Sequence, residues 1–180
     1  MSTRLDLSRL TLMDALDLAS LIELEAHRRY RQFAEDFGSR GVDDAGAVFQ
    51  SMAVNENKHC EEIAERRFAL FGDRPAKVKL DDIFDVEAPD VCDVRRNMSA
   101  LKAYQLALYS EQKAFAFYDE ALDHLDQPDV KALFEELRDE EAEHVRMLVK
   151  IIARLPPSAE IELEDEDYDP NRPARDSFEA

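Results

Sequence analysis

The sequence predicts an all-α protein: a four-helix bundle of two antiparallel helix pairs, with a long crossover between helices 2 and 3. Three observations carry that prediction. The chain has 180 residues, 45% of them hydrophobic, with only 4 glycines and no tryptophan. Alanine, leucine, glutamate, arginine and aspartate dominate, a composition that favours helix over sheet. Apolar residues recur at spacings of three and four through four long segments, the period of a helix with one buried face. Finally, those segments repeat a polar pattern in the order Glu, Glu-x-x-His, Glu, Glu-x-x-His.

Helix 1 opens at Thr11, with Asp14 three residues on in a variant of the capping box. Its apolar stripe is Leu12, Leu16, Ala19, Ile22, Ala26, Tyr30, Phe33 and Phe37. Glu23 falls inside that stripe. A buried carboxylate without a partner is expensive, so it needs one. Gly38 to Gly41 stop the helix.

Helix 2 runs from near Asp43 to about Phe71, with Gly72 as its C-terminal stop. Its stripe is Val48, Met52, Glu56, His59, Ile63 and Leu70. Again a polar pair sits mid-stripe. Residues 73 to about 96 carry Pro75, Pro89 and the alternation from Ala76 to Leu80, and do not read as amphipathic helix. A connection this long, extended, reaches back along a bundle of roughly 40 Å.

Helix 3 begins near Asn97 or Ser99, with a stripe of Leu101, Tyr104, Leu108, Glu111, Phe115, Tyr118, Leu122 and Leu125. Asp126, Gln127 and Pro128 break it and start helix 4, with proline in the first turn. Helix 4 carries Val130, Leu133, Leu137, Glu141, His144, Leu148, Ile151 and Ile152 before Pro156 and Pro157 end it. Residues 1–155 thus form the bundle. Residues 156–180 form an acidic, flexible tail, whose Ile161 and Leu163 offer apolar side chains to a partner chain.

The polar pattern is the functional signal. Residues three apart on a helix share a face, so each Glu-x-x-His points a carboxylate and an imidazole the same way. One pair means little among 41 acidic residues. Two pairs mean more, because each follows an E-x-x-A-x-x-x-Y motif: Glu23, Ala26, Tyr30 and Glu111, Ala114, Tyr118. This is an internal repeat of a helix pair. Glu23 and Glu56 lie equally far from the turn that joins their helices, and Glu111 and Glu141 repeat the arithmetic. All six residues can therefore meet at one level of one core. Four carboxylates crowded there cannot all stay ionised without cations, and two divalent ions balance them. Oxygen and imidazole donors without thiolate suit Fe or Mn, and Zn also binds. Glu23, Glu56, His59, Glu111, Glu141 and His144 are the candidate metal ligands. Tyr30 and Tyr118, each seven residues after its glutamate and on the same face, can hydrogen-bond those ligands or serve as aromatic core.

Composition excludes other classes. Net charge is −18, with nine acids and two arginines in the last 25 residues. No basic cluster exists to meet nucleic acid. Two cysteines, Cys60 and Cys92, make neither a disulfide framework nor a four-cysteine metal site. The amino terminus has no apolar signal-peptide region, and no apolar run approaches a membrane span, so the expected compartment is the cytoplasm.

These motifs resemble the ferritin-like superfamily, most nearly its rubrerythrin and bacterioferritin branch, over residues 11 to about 155. The resemblance implies a ferritin-like four-helix bundle, two iron ions held by the six residues above, and reaction of Fe2+ with O2 or H2O2. The chain departs from that pattern in four places. It lacks the two CxxC pairs of a rubredoxin domain, so peroxide reduction needs an external electron donor. Ala114 stands where rubrerythrins tend to carry an additional glutamate, leaving a symmetric set as in bacterioferritin. Asn57 stands where bacterioferritins place a haem-binding methionine, so no haem is expected. An acidic tail replaces the fifth helix of ferritin cages, pointing to a homodimer rather than a shell. The resemblance leaves two readings beside the enzyme: an iron-storage subunit without turnover, and a metal-stabilised helical interaction module.

Overall fold

Four long helices account for most of the described residues: α1 (Leu12–Phe37), α2 (Ala45–Phe71), α3 (Ala100–Leu122) and α4 (Pro128–Ile152). A computed structural model describes residues 5–37, 45–79, 82, 86–87 and 98–161. The described residues contain no strand. Helix α1 packs along α2, and α3 along α4. The bundle is the ferritin-like architecture expected from the repeated pattern.

Local chemistry sets the helix ends. Thr11 and Asp14 form a reciprocal capping box at α1: the Thr11 hydroxyl and backbone N–H donate to Asp14 Oδ2 (2.5 and 3.3 Å), and the Asp14 N–H donates to Thr11 Oγ1 (3.3 Å). Gly72 ends α2 at φ +60, a left-handed conformation that glycine adopts without strain. Ser99 caps α3, its hydroxyl accepting from the Lys102 N–H. Pro128 occupies the first turn of α4. The α3 helix ends at Leu122, earlier than the spacing suggested, although Leu125 is still buried.

Arg67 fixes the place where the crossover leaves α2. Its Nε donates to buried Asp17 on α1 (2.8 Å), and its other nitrogens donate to the Gly72 and Arg74 carbonyls (2.6 and 2.5 Å). Further along the crossover, Val78 and Val86 are buried in the same apolar cluster as Leu16 and Phe117. The crossover is therefore packed on the bundle at both points. Cys92 and Pro89 lie outside the described residues.

Two stripes differ from their periodicity. On α3 the buried face carries many small residues, Ala103, Ala107, Ser110, Ala114 and Ala121, beside the larger Leu106, Phe117 and Tyr118. Leu101, Tyr104, Leu108, Phe115 and Leu122 sit half-buried at its margins. Small side chains let a neighbouring backbone come close, and bulky ones fill the wider gaps beside it. On α2, Leu70 is 54% exposed. Arg67 and Phe71, both half-buried, carry the inner face there instead. After α4, a short 3-10 helix (Pro157–Glu160) buries Ala159 and packs against α3. Residues 162–180 of the tail lie outside the described residues.

Candidate metal centre

All six polar residues singled out by the repeat converge at mid-height of the bundle. Glu23 comes from α1, Glu56 and His59 from α2, Glu111 from α3, Glu141 and His144 from α4. The four glutamates are at most 2% exposed. They form two mirror-related triads, Glu23/Glu56/His59 and Glu111/Glu141/His144, each with one donor atom per residue within 4.8 Å of the others. His59 Nδ1 stands 3.7 Å from Glu23 Oε2 and 3.6 Å from Glu56 Oε2. His144 Nδ1 donates to Glu111 Oε2 at 3.0 Å and to Glu141 Oε2 at 3.3 Å. The two imidazoles stack across the pseudo-symmetry axis.

A seventh residue joins them. Glu87, from the crossover, is 1% exposed and belongs to two further triads at the same spacing, Glu23/Glu87/Glu141 and Glu56/Glu87/Glu111. The centre thus holds five carboxylates, where the repeat suggested four. Sequence reasoning missed Glu87 because it lies outside any helical period, and no pattern separates it from the other acids. Only the buried Val86 beside it hints at a fixed place.

Electrostatics mark the cluster as unfinished by protein groups alone. Burial pushes the Glu23 carboxyl up to about 7, against the pull of His59. Burial likewise raises Glu141 and Glu87 well above the usual carboxylate range. Hydrogen bonding to Glu23 and Glu56 lifts His59 to about 10. For His144, burial works downward, but the bonds to Glu111 and Glu141 win and carry it to about 11. Oxygens of Glu23, Glu56, Glu111 and Glu87 remain buried with no hydrogen-bond partner among the described residues. Such orphaned buried acceptors are costly unless a cation meets them. The donor set, carboxylate oxygen and imidazole nitrogen without thiolate, suits iron, manganese or zinc.

Tyr30 and Tyr118 flank the centre. Both are fully buried, and both hydroxyls lack a hydrogen-bond partner. Burial raises each phenol well above its ordinary value. The next influences are Glu111 and Glu56 on Tyr30, and Glu23 and Glu141 on Tyr118. Each phenol therefore feels the charge of glutamates outside its own motif. His27 stands apart from the triads: its Nδ1–H donates to the Ala53 carbonyl at 2.8 Å, tying α1 to α2. The exposed His124 also lies outside the centre. Cys60 is half-buried, 3.9 Å from the Ser20 carbonyl, with its thiol raised by burial. Asn57 is exposed and bonds Glu61.

A cleft of about 80 Å³ opens between α2 and α4. His59, Ile63, Leu137 and Glu140 line it, and the Arg66–Glu136 ion pair (2.7 Å) crosses its wall. The His59 side of the centre therefore borders this cleft.

Comparison with known proteins agrees with this architecture. No curated protein matches the chain. An uncharacterised conserved protein from Magnetospirillum magnetotacticum is 31% identical and superposes with a TM-score of 0.64, over 82% of this chain and 97% of its own. The bacterioferritin of Rhodobacter capsulatus, solved with a metal-free dinuclear site and haem iron, shares the fold at 21% identity and a TM-score of 0.55, over 85% of this chain and 94% of its own. The rubrerythrin family model matches residues 14–152, and again 102–176. The first match contains every residue of both histidine triads and Glu87, and by it the chain belongs to the rubrerythrin family.

Proposed function

We propose that this protein is a di-iron carboxylate oxidoreductase that oxidises Fe2+ with O2 or H2O2, or reduces peroxide with electrons from an external donor. The observation that supports it is the pair of mirror triads, buried and rich in carboxylate oxygens that no group among the described residues satisfies. Glu23, Glu56 and His59 would hold one ion, and Glu111, Glu141 and His144 the other. Mn or Zn suits the same donors. When bound, two irons supply the electrons for reduction of dioxygen or peroxide.

The chain's own residues do the rest. The bundle core excludes bulk water from the carboxylates, which strengthens their hold on cations. His59 and His144 give up their Nδ1 protons on loading, and those protons leave toward the α2/α4 cleft. Glu140, an exposed residue whose carboxyl is raised by partial desolvation, lines that cleft and would accept them. Tyr30 and Tyr118 place two phenol hydroxyls beside the carboxylates, free to donate once the oxygens are fixed. Among the described residues no helix is long and apolar enough to cross a membrane. The reading takes the protein as a cytoplasmic homodimer, an assembly that mass photometry measures directly.

The test is metal content and the ultraviolet-visible spectrum of protein expressed in iron-rich medium, beside a Glu56→Ala/His144→Ala variant. About two irons per chain, with near-ultraviolet oxo-to-ferric absorption that the variant loses, is the expected result. No bound metal, or equal metal in the variant, would sink the reading. So would loaded protein that neither consumes peroxide nor oxidises Fe2+ faster than buffer.

A further inference from the structure

We propose that Glu87, brought by the crossover, is a fifth carboxylate donor that would join the six candidate ligands in holding the metal ions, between the two halves of the centre. The inference rests on the di-metal reading above. Two observations place it. First, Glu87 is 1% exposed, and neither of its oxygens has a hydrogen-bond partner among the described residues. A carboxylate in that position meets four other carboxylates and gains nothing from them, so packing alone does not explain it. Second, its two triads each take one glutamate from either half of the centre: Glu23 with Glu141, and Glu56 with Glu111. Glu87 therefore sits on the midline between the halves, within ligand spacing of both. Neither triad contains a histidine, and neither histidine triad contains Glu87.

The preceding residue holds it there. Val86 is 2% exposed and belongs to the core cluster of Leu16 and Phe117. The side chain of Glu87 thus enters the centre from an anchored backbone.

The charge count gives the ligand a chemical consequence. Five carboxylates exceed two divalent ions by one negative charge when both imidazoles are neutral. Glu87 would therefore add negative charge to the loaded centre and strengthen its hold on cations, and its neutralisation would weaken that hold.

The experiment uses the full chain, Mn2+ alone as probe, and the Glu87→Gln variant, which keeps the shape and removes the charge. Equilibrium dialysis with metal analysis reads stoichiometry and affinity. Thermal melting with and without Mn2+ reads stability. Wild-type protein is expected to bind two Mn2+. The variant is expected to melt higher than wild type when metal-free, to bind at least one ion tenfold more weakly, and to gain less from Mn2+. Dissociation constants within twofold of wild type, with an equal metal-induced rise in Tm, would overturn the role of Glu87 and leave the di-metal reading standing. Wild-type protein that binds neither Mn2+ nor Fe2+ would overturn both. Should Glu87→Gln fail to fold, Glu87→Asp carries the same comparison, because it keeps the charge and shortens the reach.

Discussion

The imidazole rings of His59 and His144 stack with centroids 4.8 Å apart and planes inclined by 6°. They come from helices whose Glu-x-x-His motifs lie 85 positions apart in the chain. Two rings lifted to about 10 and about 11 would repel if nothing answered their charge. The glutamates beside them answer it. In the metal-free protein, protons on the histidines therefore do what cations are expected to do later.

That substitution makes metal binding pH-dependent. Loading two divalent ions displaces the His59 and His144 protons, so Mn2+ affinity should rise steadily between pH 5 and 8. Titration calorimetry in buffers of different ionisation enthalpy is expected to show about two or more protons released per two ions bound, an order-of-magnitude count from the two displaced imidazole protons. Affinity independent of pH over that range would mean the histidines are not ligands.

Metal-free stability should run the opposite way. Glu23 holds its proton up to about pH 7 in the fold, against an ordinary value of 4.5, so stability falls as pH rises through that window. His59 and His144 add the same sign. Their contribution is complete below 6.5 and is lost as pH rises through about 10 and about 11. Tm of the metal-free protein is expected to fall from pH 5 to 9, and Mn2+ to restore it most at the alkaline end. A Tm that climbs with pH in metal-free protein contradicts the buried, proton-bearing cluster.

Tyr118→Phe should cost the metal-free protein little. The hydroxyl is buried without a partner, so its removal deletes an unsatisfied group, with a change within about 1 kcal/mol of zero. The same variant should reduce the Mn2+-induced gain in Tm if the phenol bonds a fixed carboxylate. Urea melts with and without metal separate the two effects.

Arg67 and Arg66 are adjacent, yet their ion pairs should differ several-fold in value. Arg67→Ala strands buried Asp17 and frees the Gly72 and Arg74 carbonyls, a loss of about 3 kcal/mol or more. Arg66→Ala removes an exposed pair with Glu136 and should cost under about 1 kcal/mol. Equal losses in chemical denaturation would show that the clamp at the start of the crossover is not structural.

Ala107→Leu probes the small-residue face of α3. Ala107 is fully buried, and the added atoms have no room without displacing a neighbouring helix. A loss of about 1–3 kcal/mol is expected. Leu101→Ala, at the half-buried margin of the same helix, should cost less than a fully buried leucine.

Helix number, helix order and the level at which six ligand candidates meet were all legible from spacing. A helix turns by a fixed angle per residue, so two motifs equidistant from a turn must come to the same height. The Thr11/Asp14 box, the Ser99 cap and the Gly72 stop were legible for the same reason, since each is a contact between residues only a few positions apart. Periodicity was less informative about α3. It weighs a leucine above an alanine, whereas a close helix contact selects the alanine. It also carried the α2 stripe on to Leu70, where Arg67 and Phe71 hold the inner face.

By itself the sequence determined the bundle and the two Glu-x-x-His motifs that meet at its core. These follow from local geometry. Only the tertiary structure decided that Glu87 enters the centre, that the His59 side borders the α2/α4 cleft, and that Tyr30 and Tyr118 feel the charge of glutamates outside their own motifs. Each depends on how separate segments pack across the core, and no spacing along a single helix encodes that.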